Sequence, residues 1–380
     1  MPFIRAGLTA HPGTPMKFSH FIIFAITFPA VLLSCSKPAL KDGQDAAPIT
    51  WKVQVDTKSA ASLNTDALKT TPFGVTAYWT DKGTAYAGPS SGYFYLDNRK
   101  VVYNSTEDYW ECDPKAWWVL GKQISFFAYA PWTDDENVFK FAAPLDTRSL
   151  LRGEFSQDDD PASQTDLLVA LPALDRMMAD TPTSVPLRFK HSLSKVLVYL
   201  NLTGDTEAHK FKLDHMSLSG VAGSGKFNYD TSAGGFTWDE IHRSDASVRN
   251  KTYDLSIGGG TLEDVWLKHV DDLTTETGLD RYVRVQTAPE GELLMLPQPL
   301  TSKAKLTLDL DSYKDNGSGV WVKDKDEDPF HLILPAENSW EAGNIYCYTI
   351  TLDVTHLYII QFGITIIPWG SYTQTISYPE

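Results

Sequence analysis

Apolar and polar residues alternate at period two in stretch after stretch of this chain, and the alternation leaves few folds open to it. In the closing region Tyr346, Tyr348, Ile350, Leu352 and Val354 fall on one face of an extended segment, with Cys347, Thr349, Thr351 and Asp353 on the other. After a polar break at Thr355-His356 the pattern resumes with Ile360, Phe362, Ile364 and Ile366 and stops at Pro368-Trp369-Gly370. Near the start, Ile49, Trp51, Val53 and Val55 alternate with Thr50, Lys52, Gln54 and Asp56. A repeat of two belongs to a half-buried β-strand, whose successive side chains point to opposite faces. Helical periodicity is almost absent, and 25 Gly with 22 Pro supply turns between many short strands, so an all-β fold is expected.

At 380 residues the chain exceeds the size at which a single core usually stays single, and two domains are expected, over 49–184 and 185–380. In the first, strands are predicted over 73–79 and 166–170, a hairpin turning at Asp97-Asn98, and a strand through Ile124, Phe126, Ala128 and Ala130 that Pro131 stops. In the second, Leu187 and Phe189 mark one segment, Val196, Val198, Leu200 and Leu202 the next, and Leu306, Leu308 and Leu310 a later one. The mixed stretch 262–279 reads as a loop with at most a short helix. Strands at this spacing suggest β-sandwiches.

The N-terminus carries an export signal. Met16-Lys17 precedes an apolar run over 21–33, then Leu32-Leu33-Ser34-Cys35, a small-residue site ending in cysteine. The run is shorter than the roughly 20 residues a membrane span needs, and Pro29 interrupts it. The terminal cysteine resembles that of a bacterial lipoprotein signal, which makes Cys35 the expected lipid attachment point, 1–35 the signal and 36–48 a flexible tether above an outer membrane. Met16 is the expected start, the first fifteen residues lacking signal features. Cys112 and Cys347 remain, far apart and without a CxxC pair; two separate buried thiols are expected, a disulfide being the alternative.

A net charge of −15 excludes nucleic acid as a partner, because nothing would neutralise its phosphates. Gly220-Val221-Ala222-Gly223-Ser224-Gly225-Lys226 approaches a phosphate-binding loop, but Phe227 stands where a Ser or Thr must hold magnesium, and a glycine-rich hairpin is expected instead. Ser192-Leu193-Ser194-Lys195 has the S-x-x-K spacing of penicillin-recognising enzymes without their helix or Lys-Thr-Gly. His191 and His215 read as structural residues. Asp309, Asp311, Asp315, Asn316, Gly317, Asp324, Asp326 and Asp328 lack the calcium-loop spacing and read as a solvated acidic loop. No metal, cofactor or catalytic constellation is expected, and the chain reads as a non-enzyme. Among the 11 tryptophans, Trp51, Trp340 and Trp369 are expected in the core, leaving Trp132 and Trp321 as candidates for stacking on glycans.

Phe126-Phe127-Ala128-Tyr129-Ala130-Pro131, Leu167-Leu168-Val169-Ala170, 189–196, Met295-Leu296-Pro297-Gln298, 340–352 and Ile366-Ile367-Pro368-Trp369 occur in an order that resembles the fimbrillin-like lipoproteins of Bacteroidetes, from Cys35 to near the end. The resemblance implies two tandem transthyretin-like Greek-key β-sandwich domains and a subunit of surface fimbriae, the type V pili, serving adhesion. It implies that proteolysis removes a first strand, here Ile49, Trp51, Val53 and Val55, and that a neighbour's donor strand fills the groove, here Ile360, Phe362, Ile364 and Ile366. Adding a strand completes unpaired edge amides and an open apolar slot. Stalk subunits of that family are cut after an arginine, yet none lies between Cys35 and Arg99; Lys58 and Lys69 are the available basic sites. Partners implied are other fimbrial subunits, the outer membrane through the lipid, and host glycans or proteins. An outer-surface glycan-binding lipoprotein is the alternative.

Overall fold

The computed structural model describes residues 47–56, 63–144, 149–180, 184–204, 209–230, 235–238, 251–255, 283–284, 292–326, 328–337, 339–353, 355–356 and 358–369. Its strands are β1 (Thr50–Val55), β2 (Phe73–Asp81), β3 (Tyr93–Asn104), β4 (Tyr109–Cys112), β5 (Lys122–Ala130), β6 (Phe139–Ala142) and β7 (Ser149–Ser156). Next come β8 (Leu168–Ala170), β9 (Ala173–Arg176), β10 (Val185–His191), β11 (Ser194–Thr203), β12 (His209–Val221), β13 (Ser224–Asp230), β14 (Phe236–Trp238) and β15 (Lys251–Asp254). The last are β16 (Val283–Arg284), β17 (Leu293–Met295), β18 (Lys305–Asp315), β19 (Trp321–Asp326), β20 (Phe330–Ile333), β21 (Asn344–Asp353) and β22 (Tyr358–Pro368). The protein is all-β.

The first sheet runs β2-β3-β4-β1-β10-β8-β5, and β5 pairs back onto β2, so the sheet closes into a ring with β9 attached to β5. Closure removes sheet edges. Trp51, Phe73, Val75, Phe126, Leu187 and Phe189 fill the interior. A second sheet, β16-β11-β21-β22, packs against a third, β15-β12-β18-β19, through Val196, Val198, Met216, Leu218, Leu306, Leu308, Tyr348 and Ile350. This is two faces sharing one apolar layer. A fourth sheet, β14-β13-β7-β6, joins residues from both halves of the chain. Phe127 and Tyr129 of β5 meet Leu197, Tyr199, Phe227, Tyr229 and Cys347 in a third core.

Several expectations need correction. The boundary between 184 and 185 does not follow sheet membership, because β10 pairs in parallel with β1; the chain leaves the first sheet only between His191 and Ser194. No hairpin turns at Asp97-Asn98. β3 runs straight through, and a bulge against β2 absorbs the extra residues, with Asn98 at φ +39°. Its amide is held by the Tyr129 hydroxyl, which donates to Asn98 Oδ1 at 2.9 Å, and by donation to the Thr133 carbonyl at 2.8 Å. Nor is 220–226 a hairpin turn: β12 and β13 belong to different sheets, and the glycines form a corner between them. Gly220 sits at φ +73°, where a Cβ would collide with the Lys303 carbonyl. The expected loop at 262–279 lies outside the described residues. Strands β6 and β7 carry no alternation long enough to have been expected.

Candidate functional site: the first strand and the last

β1 is an interior strand of the closed sheet. Its register with β10 is parallel, from Trp51↔Val185 to Val55↔Phe189, whereas on its other side only Thr50 and Trp51 pair with β4. Ile49, Trp51 and Val55 are buried, Val53 is half-buried, and Lys52 and Gln54 face out, as the alternation requires. The Trp51 ring meets Phe126 edge-on at 5.8 Å. The strand's end is tied down by Asp56 N–H donating to the Phe189 carbonyl at 2.9 Å and by Arg188 Nε donating to Asp56 Oδ1 at 2.7 Å. Removing β1 would therefore open a slot lined by the apolar side of β10, with β10 losing its partner along that whole edge. Lys69 lies in an exposed turn beyond the strand, bonded to Asp66 at 2.9 Å, and this hydrogen bond holds its ammonium above the ordinary lysine value. Cys35 and Lys58 lie outside the described residues.

β22 is the edge of the second sheet. Among the described residues it pairs only with β21, antiparallel from Asn344↔Pro368 to Asp353↔Tyr358. Phe362 and Ile364 are half-buried on the core face, Phe362 stacking on Tyr348 at 5.8 Å and 9°. Ile366, on the same face further along, is 49% exposed. A bulge between Gln361 and Ile359 breaks the alternation, and Ile359 packs against this core. β21 itself is buried on both faces, because it lies between β11 and β22 and separates two cores. The sequence showed its apolar face but not the covered polar one, where Thr349 and Thr351 are buried. The strand ends at Trp369, which is 2% exposed.

Lys226 lies on β13 beside Glu154 at 3.3 Å, with no helix following. Burial raises the Glu154 carboxyl, but Lys226, Arg152 and Lys140 outweigh it and hold the group below its ordinary value. Ser192 donates to the Leu167 carbonyl at 2.7 Å, and Lys195 is paired with Glu292. His215 bridges Asp254 and Asp309 at 3.0 and 3.3 Å. The acidic stretch is the β18–β19 hairpin rather than a loop, its carboxylates Asp311 and Asp324 facing Lys323 and Lys314 and Asp315 capping the turn at Gly317 N. Among the described residues no His, Cys, Asp and Glu cluster fit to hold a metal occurs. Cys112 and Cys347 are separate, buried thiols not joined in a disulfide. Trp51, Trp340 and Trp369 are in the core, whereas Trp132 and Trp321 are half-buried beneath the ammonium groups of Lys100 and Lys210, at 4.8 and 4.4 Å. Among the described residues the exposed aromatic rings are Tyr93, Phe94 and Tyr358, the first stacked on Trp79 at 4.2 Å; the sequence singled out none of them as a binding ring.

A closed first sheet bearing an interior first strand, joined to a sandwich whose last strand lies at a sheet edge among the described residues, makes an all-β protein. The fimbrillin-like family model matches residues 57–369, and the chain belongs to that family. A crystal structure of a fimbrial protein from Bacteroides vulgatus is similar at TM-score 0.61 and 17% identity, over 84% of this chain and 99% of that one. Candidate cell adhesion proteins from Bacteroides uniformis (TM-score 0.44, 15% identity, 85% and 98% covered) and Bacteroides ovatus (0.45, 14%, 86% and 99%) match more loosely. No curated protein matches in sequence. Family membership makes this a fimbrial, adhesion-related subunit of the cell surface.

Proposed function

We propose that this chain is a structural, non-catalytic subunit of a surface fimbria, anchored or exported as a lipoprotein through Cys35 and joined to neighbouring subunits by β-strand complementation. The observation that carries the reading is β22: an apolar strand of Tyr358–Pro368, paired on one side only among the described residues and partly exposed, in a fold whose first strand holds mainly to one neighbour. An edge of this kind is a template for another chain. Head-to-tail donation does not close on itself and gives a filament. Without an arginine between Cys35 and Arg99, release of β1 would require cleavage after a lysine such as Lys58 or Lys69; if β1 stays, the subunit is a terminal or anchoring one. The glycan-binding alternative is disfavoured by Lys100 and Lys210, which cover the ring faces it would use.

The test is to purify the protein from its native surface, sequence its mature N-terminus and examine it on SDS gels. A stalk subunit starts after Lys58 or Lys69 and forms SDS-resistant ladders. A start at a lipidated Cys35 with no ladders under any condition defeats the stalk reading and leaves an anchoring subunit or the glycan reading.

A further inference from the structure

The outward ends of β1 and β22 open onto one cleft of about 510 Å³, lined among others by Asp56, Lys190, His191, Pro368 and Trp369. Trp369 follows directly on β22 and packs in the core that both halves of the chain share. Its indole lies flat on the His191 ring at 4.4 Å and 7°, and the Lys195 ammonium sits 4.8 Å from the indole centroid. Trp369 N–H donates to the Gly343 carbonyl at 2.7 Å. The groups that grip the indole are themselves fixed. His191 Nδ1 lies 2.9 Å from Asp166 Oδ1, and Lys195 is ion-paired with Glu292. Stacking and a desolvated cation on an indole face are both attractive, and here each carries a second tether.

His191 is also the last residue of β10, the strand that β1 pairs along. β8 holds the far side of β10 through His191↔Leu168, but on the near side β1 is its partner from Val185 to Phe189, and Asp56 closes that edge two residues from the imidazole. Half of the seat for Trp369 therefore depends on a strand whose other neighbour is β1.

From this geometry we infer that Trp369 is a latch: it holds β22 on its own subunit while β1 is in place, and loosening β1 loosens the latch through β10 and His191. The inference rests on the proposed strand exchange for its purpose, though not for its mechanics. It supplies an order of events, because a subunit would offer its edge strand only once its own first strand had been disturbed. A chain that releases β22 before then would pair in the wrong place, and the latch guards against this.

Hydrogen exchange of the intact chain, read by mass spectrometry, tests the latch in the monomer. Trp369→Ala should speed exchange of the amides of Ile364 to Ile367 by about tenfold, while those of β5 keep their protection, because local opening of an edge is independent of the global transition. Trp369→Phe, which keeps a ring on His191, should move the same amides less, by about threefold, and serves in place of the alanine variant if that does not fold. Val53→Gly, a half-buried position of β1, should also speed exchange in β22, and its effect should vanish in the Trp369→Ala background, since coupled sites are not additive. Unchanged β22 protection in both Trp369 variants overturns the latch. Equal effects of Val53→Gly with and without Trp369 overturn its link to β1. SDS ladders scored on the same variants separate the two readings: faster exchange without ladders removes strand exchange and keeps the latch, and ladders with unchanged exchange do the opposite.

Discussion

At the scale of single residues, Trp51 carries more of the first strand than any other side chain. It is wholly buried, edge-on to Phe126, and its indole N–H has no partner among the described residues. Truncation leaves a large void in a closed sheet, so Trp51→Ala should cost about 3–5 kcal/mol, measured as a fall in the denaturant midpoint. Trp51→Phe loses volume but also removes an unpaired buried donor, and should cost less than about 1.5 kcal/mol. Equal losses for both would mean that the orphan N–H is satisfied. Three buried tyrosines make a second, independent prediction. Burial raises the hydroxyls of Tyr229, Tyr253 and Tyr348 far above the ordinary tyrosine range; at Tyr348 a hydrogen bond from Trp340 opposes this only in part. A folded value above the unfolded one leaves stability unaffected below the unfolded value of about 10 and erodes it as pH rises beyond. Titration followed by phenolate absorbance should therefore show some of the 17 tyrosines ionising only together with unfolding at alkaline pH. A single ordinary step with the fold intact would refute it.

At the scale of elements, β22 separates what a face is for from how exposed it is. Ile366 is outlying and half-exposed, so Ile366→Lys should shift stability by no more than about 0.5 kcal/mol. A lysine on an edge strand blocks pairing with another chain, and the same variant should lose SDS-resistant ladders wholly. Phe362→Ala, which removes the ring stacked on Tyr348, should instead cost about 2 kcal/mol, less than for a fully buried ring, and impair ladders only as far as it unfolds the sandwich. Ladders that survive Ile366→Lys would take the donor role away from β22. The alternation identified both β1 and β22 as strands, since period two survives any tertiary setting that covers one face. It did not show the bulge between Gln361 and Ile359, because a bulge is a local count of hydrogen bonds settled by the partner strand, and it treated Thr349 and Thr351 as outward because nothing within β21 says that this face will be covered too. Asp97-Asn98 misled for a related reason. Asn favours positive φ in a turn and in a bulge alike, and only the register with β2 distinguishes the two.

At the scale of the whole molecule, the two halves are not independent beads. Strands β6 and β7 from the first half share a sheet with β13 and β14 from the second, and Phe127, Tyr129, Phe227, Tyr229, Leu197 and Cys347 share one apolar core. The Tyr229 hydroxyl donates to the Ala170 carbonyl at 3.0 Å across the two halves. None of this was legible from periodicity, because pairing between residues so far apart is set by which faces are left uncovered after local strands have formed. A fimbrial subunit under tension would gain from such a junction, since a load entering at β22 reaches the first sheet through packed side chains rather than through a linker. The arrangement makes a definite thermodynamic prediction: heating should give one cooperative transition in calorimetry, with calorimetric and van't Hoff enthalpies equal, where two tandem domains would give two. Phe227→Ala, in the shared core against Phe139 and Trp238, should lower that single transition by the equivalent of about 3–5 kcal/mol without splitting it. Two resolved transitions in the wild-type chain, or a Phe227→Ala variant in which only one half melts early, would show that the shared sheet is too weak to couple the halves, and force applied at β22 would then have to pass through the chain crossing between His191 and Ser194 alone.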